Sequence, residues 1–221
     1  MGLFDKKYCD VCGERIGLLG NRKLEDGNLC KDCARKLSPW FSERRNSSVN
    51  EIKRQLEYRE ENRGRVEAFH ITRTLGSGTK LLLDEDAGLF MVTSAKNIAE
   101  ANPDVLALSD VTGCTLDVEE SSKELLHEDK DGNEVSYNPP RYEYSYDFYI
   151  IVNVNNPYFN EMRFRINPNS VEISPPPSIR PGVTLRFNPE TNAEYKKYKQ
   201  LGEEIRQILV KVRDDAREKI E

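Results

Sequence analysis

Long apolar runs, histidine and tryptophan are scarce in this 221-residue chain, which has 2 histidines and 1 tryptophan. No apolar run approaches the roughly 20 residues that a helix needs to cross a bilayer. Residues 1–6 contain no apolar segment of the kind that begins a secretory signal peptide. We therefore expect a cytoplasmic protein, in which cysteines stay reduced and serve more often as metal ligands than in disulfides.

Catalytic motifs are also missing from the sequence. His70 and His127 are isolated, and neither a Ser-His-Asp spacing nor an HExxH motif is present, so we expect no enzyme and two surface histidines. The segment 76–80, GSGTK, lacks the Walker spacing and precedes a strand pattern, which favours a turn over a phosphate-binding loop. Cys114 lies in a strand pattern and is interpreted as a small buried hydrophobe rather than a reactive thiol.

The charge distribution argues against a large nucleic-acid footprint. The net charge is -5, and residues 1–69 hold 15 Lys and Arg against 12 Asp and Glu. Four thiolates around one Zn²⁺ would bring that N-terminal part to about +1. Neither part of the chain therefore carries the strong positive charge that is typical of nucleic-acid binding.

Four cysteines form the clearest motif of the sequence. Cys9 and Cys12 are separated by two residues, as are Cys30 and Cys33, with 17 residues between the two pairs. Two such pairs place four sulfurs around one ion at about 2.3 Å, which is the tetrahedral arrangement of zinc sites. Since cysteine fills all four positions, the spacing predicts one structural Zn²⁺ rather than a catalytic ion.

Other interpretations of the cysteines remain open at this stage. A redox pair, four unrelated buried cysteines, an iron–sulfur cluster or another metal are alternatives to zinc. Asp26-Gly27-Asn28 predicts a hairpin turn before the second pair, and residues 33–37 predict a short helix after it. A hairpin between the two cysteine pairs and a helix after the second pair fit either a zinc ribbon or a treble-clef-like module, and the sequence does not separate the two.

The pattern of apolar residues divides the chain into four parts. We predict a zinc module at residues 1–41, a helical connector at 42–69, a β domain at 70–174, and a Pro-rich spacer with a C-terminal helix at 175–221. In the connector, Ser48 to Glu51 fits a capping box, and Gly64 is predicted to end the helix. Its apolar stripe is thin, which argues against a core helix.

Strand patterns dominate the third part. Short apolar runs at 80–84 and 89–93, and a third candidate at 111–118, precede a hairpin signal at 129–133. The clearest alternation covers 144–154, where even-numbered residues are apolar or aromatic and should face a core.

The last part predicts one long helix over about residues 192–220. Apolar residues recur every three or four positions, and the bulky ones lie in its first half. The thinner stripe of Val212, Ala216 and Ile220 indicates either a solvated end or a surface for a partner helix.

Two resemblances to known families follow from these residues. Residues 8–14, YCDVCGE, and 27–33, GNLCKDC, followed by LSPWF at 37–41, resemble the bacterial domain-of-unknown-function family 4428, described as a zinc ribbon. The resemblance covers about residues 8–60 and includes all four cysteines of that family.

The third part resembles a bacterial pleckstrin-homology-like domain. The similarity is carried by residues 79–84, TKLLLD, 89–93, LFMVT, and 108–113, LSDVTG. It implies a bent antiparallel β barrel closed by a C-terminal helix. Together these features give an α+β fold: a small four-cysteine zinc ribbon or treble-clef-like module, a helical connector, and a pleckstrin-homology-like β barrel with a long C-terminal helix.

Neither resemblance implies an activity, so function is inferred from what the parts can do. We expect a non-catalytic binding or scaffold protein that takes part in protein–protein interaction or self-association. One alternative is membrane-surface binding by the β domain, although its first loop, at 84–88, is acidic. A lesser alternative is nucleic-acid binding by the basic residues of the zinc module, which are Arg15, Arg22, Lys23, Lys31, Arg35 and Lys36.

Overall fold

The structure is a computed structural model that describes residues 6–174 and 188–218. It is a mixed helix-and-sheet protein. The helices are α1 (Lys31–Arg35), α2 (Val49–Ala68), α3 (Ile98–Ala101) and α4 (Ala193–Glu218). The strands are β1 (Lys7–Tyr8), β2 (Arg15–Ile16), β3 (Arg22–Lys23), β4 (Asn28–Leu29), β5 (Arg73–Leu75), β6 (Lys80–Asp84), β7 (Leu89–Thr93), β8 (Val105–Ala107), β9 (Val111–Glu128), β10 (Glu134–Val154), β11 (Glu161–Arg165) and β12 (Val171–Ile173). The predicted Pro-rich spacer falls largely outside the described residues.

The N-terminal module contains two short antiparallel hairpins, β1–β2 and β3–β4, followed by α1. Its small core combines three of the cysteines with Leu24, Leu29 and Ile52, of which Ile52 belongs to α2. Val49 and Leu56 of α2 also pack on this core. The packing unit around the cysteines therefore extends beyond residue 41 into the first turns of α2.

Helix α2 begins as predicted and ends later than predicted. Ser48 caps it in a capping box: the Ser48 Oγ accepts from the Glu51 N–H at 3.3 Å, and the Ser48 N–H donates to Glu51 Oε2 at 2.7 Å. The predicted end at Gly64 is wrong, because the helix continues to Ala68. A glycine inside a helix costs only about 1 kcal/mol, and the burial of the nearby Val66 side chain offsets this cost.

The thin apolar stripe of α2, which argued against a core helix, understates how much of this helix is buried. One face of the helix is buried along its length, and its buried residues are Ile52, Gln55, Arg59, Asn62 and Val66. Three of these side chains are polar. An apolar stripe alone therefore underestimates the buried face, because Arg59 and Asn62 are buried with hydrogen-bond partners across the interface.

The first large sheet has the order β5-β6-β7-β8 and is antiparallel. The strands predicted at 80–84 and 89–93 are confirmed as β6 and β7. Both faces of this sheet are covered. Leu82 and Met91 lie in one buried cluster with Val66 of α2, whereas Leu83 and Phe90 face the main core.

The second large sheet is built around the long strand β10. Strand β9 pairs with one edge of β10, and β11 and β12 pair with its other edge. The turn at 129–133 is confirmed, with the Asp129 N–H donating to the Asn133 carbonyl at 2.9 Å. The strand predicted at 111–118 continues to Glu128, because pairing with β10 extends through a polar region that has no apolar alternation.

The main core lies between the two large sheets and α4. The predicted alternation in β10 is confirmed, since Phe148, Ile150 and Val152 are fully buried and their odd-numbered neighbours are half-buried. Helix α4 adds buried side chains along most of its length: Tyr195, Tyr198, Ile205, Leu209 and Val212. The described strands form open sheets, and the pleckstrin-homology-like assignment is treated below as a proposal.

The second half of α4 packs on the body of the same chain. Val212 is buried in the main core, and Ala216 packs against it. The Arg217 guanidinium donates to the carbonyls of Ser109 and Val111, the latter at 2.7 Å. Contrary to the expectation of a solvated end or a free stripe, this part of the helix is tied down as far as Arg217. Ile220 lies outside the described residues.

Candidate metal centre

The first cysteine pair lies in the tight turn between β1 and β2. The Cys9 N–H donates to the Glu14 carbonyl at 2.9 Å, and the Gly13 N–H donates to the Cys9 carbonyl at 2.8 Å. Gly13 has a φ of 76°, in the left-handed region that glycine adopts without the penalty of a Cβ atom. The turn thus brings Cys9 and Cys12 to the same end of the hairpin.

The second cysteine pair lies at the start of α1. Cys30 is the N-cap residue of this helix, and its Sγ accepts the Cys33 N–H at 3.3 Å. The Cys30 N–H in turn donates to the Cys9 Sγ at 3.3 Å, which joins the two pairs. Gly27 allows the preceding turn to approach α2, since a Cβ at this position would lie 2.6 Å from a Val49 methyl carbon.

All four predicted ligands meet at one point. The Sγ atoms of Cys9, Cys12, Cys30 and Cys33 lie within 4.8 Å of one another, and Cys12 and Cys30 are 3.8 Å apart. Sulfurs at about 2.3 Å from a tetrahedral ion are about 3.8 Å apart, so the measured separation fits a zinc-sized ion. Three of the cysteines are buried and Cys12 is exposed. The cluster could therefore hold a metal ion such as zinc.

The electrostatic environment of the sulfurs is consistent with metal binding. Burial by itself would raise the pKa of Cys9, but backbone N–H groups of Cys12, Cys30 and Val11 lower it to about 7. Burial has the largest effect on the pKa of Cys33 and raises it, and the neighbouring thiols raise it further. Four thiols this close cannot all ionise without a cation, because thiolates at such distances repel one another.

A buried polar network attaches the cysteine module to the β domain. Its centre is Asp104, whose Oδ1 accepts from Arg59 Nη1 at 2.8 Å and whose Oδ2 accepts from Ser38 Oγ at 2.8 Å. The Arg59 guanidinium also donates to the carbonyls of Lys36, at 3.3 Å, and Asn102. Burial raises the pKa of Asp104, although Arg59 and Ser38 act in the opposite direction.

A pair of asparagines completes this network. Asn62 Nδ2 donates to Asn102 Oδ1 at 2.8 Å and to the Pro103 carbonyl at 2.7 Å, while Asn62 Oδ1 accepts the Val105 N–H at 2.9 Å. Asn102 has a φ of 47°, a left-handed conformation that asparagine tolerates better than most residues. The network links the end of the cysteine module, α2 and the start of β8.

Aromatic residues form a second contact between the module and the β domain. Phe41 meets Tyr158 edge-to-face with ring centroids 6.4 Å apart, and Tyr58 of α2 lies 5.1 Å from the same ring. Trp40 packs against the main core. The segment after α1 is therefore anchored to the body of the protein by both aromatic and ionic contacts.

The remaining residues singled out in the sequence do not join the cysteine cluster. Cys114 is buried, and burial raises its pKa to about 11, which confirms its interpretation as a small buried side chain. His70 and His127 are exposed, as predicted, and the His127 ring contacts Tyr137 at 4.5 Å. Gly76 has a φ of 88° in the turn between β5 and β6, which confirms that GSGTK is a turn.

The residues of the buried network were not predicted. Arg59 and Asn62 lie within a highly charged helical pattern, in which no periodicity separates a buried arginine from an exposed one. The Asn102-Pro103 pair predicts a turn, but it does not indicate that Asp104 is buried. Only the contact between Arg59 and Asp104, 45 residues apart, shows that both residues belong to a buried network.

Fold and site together define a protein with a four-cysteine module, able to hold a metal ion, attached to a mixed helix-and-sheet body. Residues 7–55 match the model of a family described as Domain of unknown function (DUF4428). All four cysteines lie inside this match, which also reaches into α2, as the packing of the module does.

Neither the curated proteins nor the solved structures gave a match to this chain. In the described part of the chain, no helix combines the length and the apolar character that crossing a membrane requires.

Proposed function

We propose that Cys9, Cys12, Cys30 and Cys33 bind one structural Zn²⁺. The observation that carries this proposal is the convergence of four sulfurs within 4.8 Å, with one separation at the value for a tetrahedral zinc site. Cysteine supplies every ligand, so no position is left for a water or a substrate. When bound, the ion would stabilise the module, since binding energy at such a site is folding energy.

The geometry of the two pairs supports the treble-clef alternative over the ribbon. The first pair lies in a hairpin turn, whereas the second pair caps α1 and lies in its first turn. A ribbon would place the second pair in another hairpin turn.

Metal analysis of the purified chain tests the zinc proposal. We expect about one zinc per chain, most of it lost in Cys30→Ser because a tetrahedral site loses one of its four ligands. Cys114→Ser is the matched control, since Cys114 is buried in the β domain and should leave the metal content unchanged. Protein with reduced thiols and no bound metal would refute the proposal. Iron or another metal in place of zinc would contradict the choice of ion.

For the whole chain, the function best supported is that of a non-catalytic binding or scaffold protein that contacts protein partners. The module is attached to a buried ion pair of the body through Ser38 and the Lys36 carbonyl, which suits the presentation of a fixed surface. Of the residues that the sequence singled out for possible catalysis, His70 and His127 are exposed and Cys114 is buried. A cytoplasmic location belongs to the same proposal, because four-cysteine metal sites depend on reduced thiols.

A pleckstrin-homology-like assignment of residues 70–174 is part of this proposal. It is supported by the order of the elements: a four-stranded antiparallel sheet, a second antiparallel sheet that shares its core, and then a long helix packed on that core. The acidic turn between β6 and β7, with Glu85 and Asp86, does not favour binding of anionic headgroups at this end of the domain.

Light scattering and partner capture with the full chain test the binding function. A scaffold protein should self-associate or retain specific protein partners, and this capacity should survive Cys114→Ser. A strictly monomeric protein that captures no protein partner would contradict the proposal. Salt-sensitive binding of DNA or RNA by the same preparation would favour the nucleic-acid alternative instead.

A further inference from the structure

Two adjacent leucines in the cysteine module are almost completely exposed. Leu18 and Leu19 are 93% and 92% exposed, whereas the next large apolar side chain of the described residues, Tyr8, is 53% exposed. Single exposed leucines are common on protein surfaces. A pair at one tip, with nearly all of its apolar surface in water, is a concentrated hydrophobic feature for so small a module.

The backbone that carries these leucines is well held. They lie in the turn at 17–20, between β2 and β3, and we call this segment the leucine tip. The Gly20 N–H donates to the Gly17 carbonyl at 3.0 Å, and Arg22 Nη1 donates to the Leu19 carbonyl at 3.3 Å. Ile16, directly before the tip, is buried in the module core. The leucines are therefore presented outward by a fixed turn.

Basic residues flank the leucine tip. Arg15 precedes it, Arg22 and Lys23 follow it, and Lys7 pairs with Ile16 at the open end of the β1–β2 hairpin, next to Lys6. We call these five residues the basic collar. Arg22 is half-buried and the other four are exposed, so their charges are available to a ligand in solution.

A second group of arginines extends the positive surface beside β3. Arg44 Nη1 donates to the Lys23 carbonyl at 2.9 Å. Burial, and after it the charges of Arg22 and Arg45, lowers the pKa of Arg44.

The acidic residues of the first hairpin lie at its other end. Asp10 and Glu14 belong to the cysteine turn, which closes the β1–β2 hairpin at the end opposite to Gly17. Asp10 Oδ2 is also engaged, because it accepts the Asn28 N–H at 2.6 Å. Apolar side chains and positive charge are thus combined at the end of the first hairpin that lies opposite its acidic residues.

We propose that the leucine tip inserts into the surface of an anionic lipid bilayer, with the basic collar at the headgroups. An apolar tip flanked by cations matches the two layers of such a surface, in which acyl chains lie beneath negatively charged headgroups. This site differs from any loop of the β domain. The proposal rests on the proposed zinc site only in so far as the cysteines join the two hairpins on either side of the tip.

The chemistry of the tip favours a bilayer over the other possible partners. Nucleic-acid phosphates would engage the cations and leave both leucines in water. A stable protein interface buries about 800 Å² on each partner, which is far more than a four-residue turn provides. Insertion into a bilayer needs only a small apolar protrusion together with electrostatic attraction.

Vesicle co-sedimentation of the full chain tests the proposal. The wild-type protein should bind phosphatidylcholine vesicles that contain phosphatidylserine, and it should bind pure phosphatidylcholine vesicles much less. Leu18→Ser/Leu19→Ser should weaken binding to the anionic vesicles roughly tenfold or more, since two leucine side chains no longer enter the bilayer. Lys6→Glu/Lys7→Glu should weaken it as well, by about fivefold or more for each charge.

The matched control is Ile71→Ser/Leu126→Ser, which removes two other exposed apolar side chains, each 45% exposed, outside the module. This variant should bind as the wild type does. Zinc content is measured on every variant: a tip variant that keeps its metal but loses vesicle binding supports the proposal.

Three results would overturn the proposal. The first is equal vesicle binding by the wild type and the tip variant, both with metal bound. The second is wild-type protein that holds its metal and binds a DNA or RNA probe but no vesicle. The third is a loss of self-association in the tip variant while wild-type protein binds no vesicle. Wild-type protein without metal would refute the zinc proposal separately.

Discussion

The Arg59 guanidinium on α2 and the Asp104 carboxylate before β8 form an ion pair with an Nη1–Oδ1 distance of 2.8 Å, and the two side chains are 7% and 0% exposed. Both groups have further partners, Ser38 for the aspartate and the carbonyls of Lys36 and Asn102 for the arginine. The pair therefore joins three parts of the chain at one buried point.

Arg59→Met should destabilise the protein by about 3–5 kcal/mol, because it leaves Asp104 buried without its counter-ion. Urea unfolding measures the change. The matched control is Arg63→Met on the same helix, whose ion pair with Glu60 is exposed and should contribute about 0–1 kcal/mol. Arg59→Met/Asp104→Leu should recover part of the loss, since no buried charge remains. Equal effects of Arg59→Met and Arg63→Met would contradict the buried pairing.

Phe148→Ala should cost about 3–5 kcal/mol, because the ring is fully buried and contacts Tyr195 and Tyr198. Tyr149→Ala should cost about 1 kcal/mol, since its half-buried ring lies under the Arg163 guanidinium at 3.5 Å from the centroid. Denaturant titration of both variants tests the strand register. Similar losses at the two positions would show that the register of β10 is wrong.

Two helical glycines should respond differently to alanine. Gly64→Ala in α2 should stabilise the protein by about 1 kcal/mol, because helix propensity improves and the new methyl group meets open space. Gly202→Ala in α4 should lack this gain, since its Cβ would lie 2.5 Å from Leu116 Cδ1 and the leucine must move. Thermal unfolding compares them, and a Gly202→Ala variant as stable as Gly64→Ala would contradict the packing of α4 on β9.

Val212→Ala should cost about 2 kcal/mol, because the second half of α4 packs in the main core. Lys211→Ala, at the adjacent exposed position, should change the stability by less than about 0.5 kcal/mol. Chemical unfolding separates the two outcomes. No effect at Val212 would indicate that the end of the helix is free in solution, and the stripe would again be available to a partner helix.

Much of the architecture follows from local patterns in the sequence. The cysteine spacing alone indicated which four sulfurs come together, because each pair with two intervening residues places both of its sulfurs in one tight turn. The alternation in β10 and the capping box at Ser48 likewise fixed a strand face and a helix start, since both depend on residues close in sequence.

Only the tertiary structure decided which polar residues are buried. Arg59 lies among other charged residues of α2, and its burial depends on Asp104, 45 residues away, so no local pattern could show it. The polar half of β9 is a strand only because β10 supplies its hydrogen-bond partners along the whole length. The exposure of Leu18 and Leu19 was decided by the fold as well, because an adjacent apolar pair in the cysteine module is equally compatible with a core position from sequence alone.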